Sequence, residues 1–391
     1  MQYHILITSI LALSVFDIFI FKTKKNKIIL AIFSIIIYSY FLGRRGFIAS
    51  DWIHYFPTFI SSLNLEEALY FKKLNFIAEY EVGYKVLLTF FKSLTTNYDI
   101  YIFLTTFLDI SFLVIIFFYY SPYPIFSIFI FLIFSGLNLQ LDLMRNIKAM
   151  IIFLYSLKYL TNKAYLKAYF FNIIAFTIHR TSFLYIVLIS FLQKKIYKKK
   201  YLILILFFTG VYFYFFSNDF FYGVFKITFK ILKRLDISLL SGIQNKLNAY
   251  MLQIDHMSPG IIKIGLIEKI ITFFIFYFNR KKINETKIET IFFNLYLACI
   301  FSYLYTNSIS VLHDRLEILF IPSYWILYPI FLKKCKKNKL VIFMILITMF
   351  LGKYFNFYNR TLSSELYKYN NLEKNEYNYI KFSKIFFKTY K

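Results

Sequence analysis

Cysteine, proline, glycine and acidic side chains are all scarce in this chain of 391 residues. The two cysteines, Cys299 and Cys335, lie in unlike surroundings, one in an apolar run and one in a lysine cluster. No disulfide framework and no CxxC metal site follows from them. With six prolines and ten glycines, no Pro- or Gly-rich linker marks a boundary, and a single integral domain over residues 1–391 is expected. Charged residues make up only 17%, which argues against an ordinary soluble enzyme. Apolar residues reach 59%, which excludes a disordered chain and exceeds what a water-soluble fold can hide.

Basic side chains number 46 against 20 acidic ones, a balance of 46 − 20 = +26. Phe (52) and Tyr (36), with Ile, Lys and Asn, share AT-rich codons, so part of the aromatic and basic excess follows genome composition. The lysines stand in short clusters between apolar runs, so no nucleic-acid partner is expected.

Five clusters, at 22–27, 158–167, 194–200, 280–287 and 333–339, mark loops that the positive-inside rule places in the cytoplasm. Candidate spans cover 2–21, 28–43, 98–119, 124–141, 145–160, 167–179, 182–193, 201–216, 261–278, 288–306, 315–332 and 339–352. Four, two, two and two spans then separate successive clusters, so all five fall on one side and the N-terminus lies outside. The pattern predicts an all-α, polytopic membrane protein of about 10–12 helices. Residues 2–21 read as a retained span, because the positive charge follows the apolar stretch and no small-residue cleavage pattern ends it. Asp17 inside it reads as a satisfied polar group facing other helices. The short pair 167–179 and 182–193 reads as two half-helices meeting at His179 and Arg180. External loops are expected at 44–97, with an interfacial helix, and at 217–260, and a basic tail at 353–391.

The sequence holds no Walker loop, HExxH, GxSxG, GxGxxG or DxD pair. That weakens any enzyme using a soluble nucleotide donor and leaves enzymes that take an activated lipid from the membrane. Cations at span ends carry the chemistry: Arg145 in LDLMRNIKAMI, His179 and Arg180 in FTIHRTSF, and Arg315 in VLHDRLEILF. Arginine binds phosphate bidentately and never loses its charge, which suits a lipid diphosphate and the charge on its leaving group. The plainer alternative for a lone arginine is an interfacial anchor that snorkels to the headgroups, and for His179 a hydrogen-bonded residue of helix packing. Asp51, with His54 on the same helical face, and Glu79 and Glu81 around Tyr80 are candidates for a carboxylate base. Their plainer role is an ion pair with Arg44 or Arg45. Trp52, Tyr55 and Tyr84 are placed to stack on sugar rings, or to act as interfacial belt residues.

Taken in order, Asp51-Trp52 with Tyr55 and Phe59, then Glu81-Val82-Gly83-Tyr84, Arg145-Asn146 with Ala149, His179 with Ser182, and Arg315 before an aromatic span resemble the EpsG family of Wzy-like polysaccharide polymerases. The resemblance covers roughly 40–330. It implies a lipid-donor glycosyltransferase in the bacterial inner membrane. Such an enzyme joins oligosaccharide repeat units carried on undecaprenyl diphosphate at the external face, for O-antigen, capsule or exopolysaccharide. On that reading Arg145 and Arg315, with Arg44 and Arg45, bind substrate, and His179 hydrogen-bonds a phosphate or sugar. Asp51 or Glu81 would orient or deprotonate the acceptor, though which of them is the base does not come from the resemblance. Asn146 stands where the family pattern leads one to expect Gln, and Lys148 where an apolar residue is usual. The implied partners are the lipid-linked oligosaccharide, membrane lipids, a flippase and a chain-length regulator; no cofactor or metal is called for.

Two other functions compete. One is an O-antigen ligase or another lipid-donor glycosyltransferase with the same external chemistry. The other is a flippase for lipid-linked glycans. A transporter would place its charges near the midplane in repeated halves, whereas here they gather at span ends and no matching halves are found.

Overall fold

The computed structural model describes residues 2–74, 80–235, 264–364 and 367. Glu79, most of the expected loop at 217–260 and the tail beyond 367 lie outside the described residues. The described residues are all-helical, and they fall into two compact units, Met1–Phe191 with Tyr324–Lys391, and Leu192–Ser323.

The first unit begins with α1 (Gln2–Val15) and α2 (Lys24–Gly43), then α3 (Trp52–Ile60), α4 (Leu65–Phe71) and α5 (Val82–Leu94). It continues through α6 (Tyr98–Tyr120), α7 (Pro124–Phe131), α8 (Leu137–Leu141), α9 (Met144–Thr161), α10 (Tyr165–Ile178) and α11 (Phe183–Leu188). The second unit contains α12 (Lys200–Leu235), α13 (Ile264–Phe278), α14 (Lys287–Tyr305) and α15 (Ser310–Phe320). The chain returns to the first unit through α16 (Pro322–Lys334) and α17 (Lys339–Phe357).

Six helical stretches are long and apolar enough to cross a bilayer, and eight if each of two bent pairs counts as one span. The protein is thus a multi-pass membrane protein. Several of the other expected spans fail on length or charge: α10 has 14 residues, and α9 carries Arg145, Lys148 and Lys158. The α2 helix shows how lipid selects its faces. Ile29, Ile32, Phe33, Ile36 and Tyr40 form an exposed apolar stripe, while Leu30, Ser34, Tyr38 and Leu42 turn inward onto the unit. Exposed to water such a stripe would be unfavourable; hydrocarbon accepts it.

Charged groups buried between the helices of the first unit find partners, as a low-dielectric surrounding favours. Asp17 meets Lys27 at 2.9 Å and accepts the Ile125 N–H at 2.9 Å, so it caps the start of α7 as the satisfied polar residue expected. Lys148 and Asp109 form a buried pair at 2.8 Å. Between α7 and α8 the Pro124–Leu141 span breaks at Phe134 and Ser135, and the carbonyl freed at Phe134 receives the Trp325 indole N–H at 3.1 Å. Next to the break, a Cβ on Gly136 would run into the Phe131 carbonyl, so the bend is open only to glycine.

The ends of the first unit are defined by contacts between distant loops. Lys27 Nζ donates to the Pro122 carbonyl at 2.9 Å and Lys339 Nζ to the Ile18 carbonyl at 2.7 Å. The clusters at 22–27 and 333–339 therefore share one end of the first unit. At the far end of the Pro124–Leu141 span lies Asp142, which takes the Tyr367 hydroxyl, while the Tyr367 carbonyl takes the Tyr3 hydroxyl at 2.9 Å.

In the second unit α12 packs on α14, and α14 on α15. A capping box at Thr286 and Glu289 starts α14 directly after the basic loop. Lys269 is buried with Glu317 at 2.6 Å and Glu268 at 3.5 Å.

Candidate functional site

At the Asp142 end of the first unit three loops converge: residues 44–51, the approach to α5, and the break between α10 and α11. Asp142 organises the first. It stands between α8 and α9, and its Oδ1 accepts the Ser50 N–H at 2.7 Å, the Ser50 hydroxyl at 3.0 Å and the Asp51 N–H at 2.9 Å. This fixes Asp51 at the start of α3. Burial, and then the Asp142 charge, push the Asp51 carboxyl up to about 6, against the pull of His54 and Arg145.

Glu81 precedes α5, whose N-terminal end meets the end of α10. A Cβ on Gly83 would collide with Thr177 Oγ1 and come within 2.9 Å of the Thr177 carbonyl carbon. The missing side chain is what lets the two helix ends touch. Contact brings Glu81 under the break that follows α10. Its Oε2 lies 2.5 Å from Arg145 Nη1, and its Oε1 accepts the Arg180 N–H at 3.2 Å. His179 Nδ1 and Arg180 Nε stand 3.8 and 3.9 Å from the same Oε1. Burial raises the Glu81 carboxyl, but its own backbone N–H, Arg145 and the Arg180 N–H outweigh that and hold it below its ordinary value. It stays ionised. The Arg145 guanidinium lies over the Tyr80 ring, 4.4 Å from the centroid, and its Nε has no hydrogen-bond partner. The side chains of Arg145 and Glu81 are 22% and 10% exposed, so the pair is largely shielded, with the arginine the more open of the two.

The structure thus brings Asp51, Glu81, Arg145 and His179 to one end of one unit. Glu81 pairs with Arg145, and neither Arg44 nor Arg45 takes the role of its partner. Arg45 is turned into the helices and donates to the Leu42 carbonyl at 2.7 Å and Thr106 Oγ1 at 3.1 Å. Arg44 is exposed, its guanidinium 5.2 Å from the Tyr40 ring centre. Trp52, Tyr55 and Tyr84 are buried in an aromatic core: Trp52 lies against Phe47 at 4.6 Å, and the Tyr84 and Tyr101 hydroxyls are 3.2 Å apart. Buried rings offer no free face to a sugar. The less buried Tyr80 carries the cation instead. Arg315 belongs to the second unit, exposed on α15, where the neighbouring His313 Nε2 lies 3.8 Å from Glu317 Oε2.

Two contributors, Asp142 and Tyr80, escape a reading by residue type. Asp142 acts through backbone N–H groups 91 and 92 positions away. Its only sequence signal is a lone carboxylate three residues before Arg145. Among the described residues no group of three His, Cys, Asp or Glu side chains gathers as metal ligands do. What the arrangement offers chemically is a fixed guanidinium for an anion and, beside it, a carboxylate poised between its two protonation states. A family model, the EpsG family, matches residues 28–371. No curated protein and no solved structure matches the chain.

Proposed function

Since the chain belongs to the EpsG family, a family of Wzy-like polysaccharide polymerases, we propose that it joins lipid-diphosphate-linked oligosaccharide units at the Asp51–Arg145 end of its first unit. The lipid is undecaprenyl diphosphate, and that end faces away from the cytoplasm, on the side opposite the lysine clusters. The observation that carries the reading is the convergence of Arg145, His179 and Arg180 on a single carboxylate oxygen pair, beside a second carboxylate that is held near neutrality.

The steps follow from these positions. The diphosphate of the donor takes the place of Glu81 on Arg145 or shares it, and His179 hydrogen-bonds a phosphate or sugar oxygen. Asp51 takes the proton from the acceptor hydroxyl as that oxygen bonds to the donor's anomeric carbon. The bond from that carbon to the diphosphate oxygen breaks, and the diphosphate leaves with the electron pair, its charge met by Arg145. Glu81, held ionised by Arg145, is a poorer proton acceptor than Asp51 and serves to aim the guanidinium. Arg315, exposed on the second unit, is assigned a diphosphate of its own.

The test is chemical. Cells carrying Arg145→Ala, with the protein present in the membrane at normal level, should hold single lipid-linked units on the external side and lack long glycan. Long chains at normal abundance would overturn the assignment of the donor site. Single units confined to the cytoplasmic side would point to a flippase instead.

A further inference from the structure

On the second unit a cleft of 910 Å³ opens between two basic loops. Lys198, Lys199 and Lys200 line it from one side, and Arg280 and Lys281 from the other. The two loops are about 80 positions apart in sequence, and the expected count of spans places both on the cytoplasmic side; the structure puts them on one cleft. No carboxylate lines it, and none of these five cations pairs with one among the described residues. Five like charges around one concavity repel each other and leave it short of negative charge.

Two of the cations are held in place before any ligand arrives. Arg280 donates Nη1 to the Tyr277 carbonyl at 2.8 Å and lies over the Tyr277 ring at 4.5 Å. Lys200 Nζ stands 4.5 Å from the Tyr201 ring centre, in the first turn of α12, whose positive end adds to the field. The apolar surroundings narrow the choice of anion. Tyr201 and Leu202, on the wall of the cleft, are 69% and 44% exposed, and Phe278, two residues before Arg280, is 72% exposed. A soluble phosphate has no use for such an apron, whereas a phospholipid lays acyl chains on it while its headgroup meets the cations.

We propose that this cleft binds the headgroup of an anionic phospholipid of the cytoplasmic leaflet, of the kind that carries two phosphates on one glycerol-linked head. One phosphate can engage the Lys198–Lys200 side and the other Arg280 and Lys281. The site is independent of the reaction assigned to the first unit.

The test uses the full chain, purified in a neutral detergent. Binding and thermal stabilisation are measured with diphosphatidylglycerol, phosphatidylcholine and inorganic pyrophosphate. The wild type should bind diphosphatidylglycerol and rise in Tm, with little response to the other two. Lys198→Gln, Lys199→Gln and Lys200→Gln combined should weaken that lipid about 100-fold, at about 1 kcal/mol per cation. Arg280→Gln with Lys281→Gln should weaken it about 10- to 50-fold by the same reasoning. Lys22→Gln, Lys24→Gln and Lys25→Gln, which remove three exposed lysines of the first unit, should leave it unchanged and so separate a built site from general surface charge. Pyrophosphate binding as tightly as the lipid would assign the cleft to a soluble ligand and overturn the proposal. Equal loss in the Lys22 control, or no loss in either cleft variant, would overturn it too.

Discussion

Glu81→Gln separates the roles proposed for the two carboxylates. The substitution keeps the shape of the side chain and removes its charge. In the structure Glu81 Oε2 receives Arg145 Nη1 at 2.5 Å and Oε1 receives the Arg180 N–H at 3.2 Å. An ion-paired hydrogen bond lies toward the top of the range of about 1.5–3 kcal/mol for bonds to charged groups, and one from the still-charged Arg145 to a neutral amide toward its lower end. Neutralising Glu81 therefore weakens its hold on the guanidinium by about 1–1.5 kcal/mol. Arg145 is then that much freer to meet a diphosphate, and donor KM should fall about five- to tenfold. Asp51 is untouched, so kcat should stay within about threefold. The assay is initial rate of chain extension against donor concentration, with purified protein in vesicles holding lipid-diphosphate-linked units. If Glu81 removed the acceptor proton instead, kcat would drop by about 10²–10⁴. A drop of that size with no fall in KM would refute the assignment of Asp51 as base and Glu81 as the group that aims Arg145.

The Asp51 carboxyl at about 6 lies above the usual carboxylate range, so it keeps its proton to higher pH than an exposed aspartate. The rate should climb with pH through about 6 and level off above about 7; Asp51→Asn should remove that limb along with the activity, and an unaltered profile would count against the base. Asp142→Asn keeps an oxygen for the Ser50 and Asp51 N–H groups but deletes a negative charge beside Asp51, so the same limb should move to lower pH, read from the rate profile of the variant. Gly83→Ala forces a methyl group against Thr177, at a cost of about 1–3 kcal/mol in stability, and should separate Glu81 from Arg180 with loss of chain extension. Trp325→Phe keeps the ring but strands the Phe134 carbonyl inside a span, which should lower Tm by the equivalent of about 1–3 kcal/mol while an exposed control such as Tyr119→Phe does not.

The architecture was legible where lipid imposes one solution. Apolar runs and lysine loops announce a multi-pass helical chain, and within each unit basic loops distant in sequence come together: Lys27 and Lys339 at one end of the first, Lys198 and Arg280 on one cleft of the second. Length and charge thin the list: α9 carries three basic residues and α10 is short, so fewer stretches pass as independent spans than the apolar runs imply. Among the site residues, Arg145, His179, Glu81 and Asp51 stood out because a charge at a membrane boundary is costly without a purpose. The pairings did not stand out, since Glu81 meets Arg145 only after α5 and α10 touch at Gly83, 94 positions from Thr177. The aromatic rings misled for a compositional reason: in a chain this rich in Phe and Tyr, Trp52 and Tyr84 look no different from rings that face outward. Arg45 misled because its acceptors are a carbonyl and a hydroxyl, neither of which leaves a trace in charge pattern.

The Tyr367 hydroxyl on Asp142 has a reach beyond its own contact. Asp142 sets the backbone of Ser50 and Asp51, and the Tyr367 carbonyl also receives the hydroxyl of Tyr3, so Tyr367 works as a guy-rope on the loop that carries Asp51. Tyr367→Phe, far from Arg145 in sequence, should therefore behave kinetically like a change in the loop proposed to carry the base. A screen that sorts variants by distance along the chain would file it under the wrong heading.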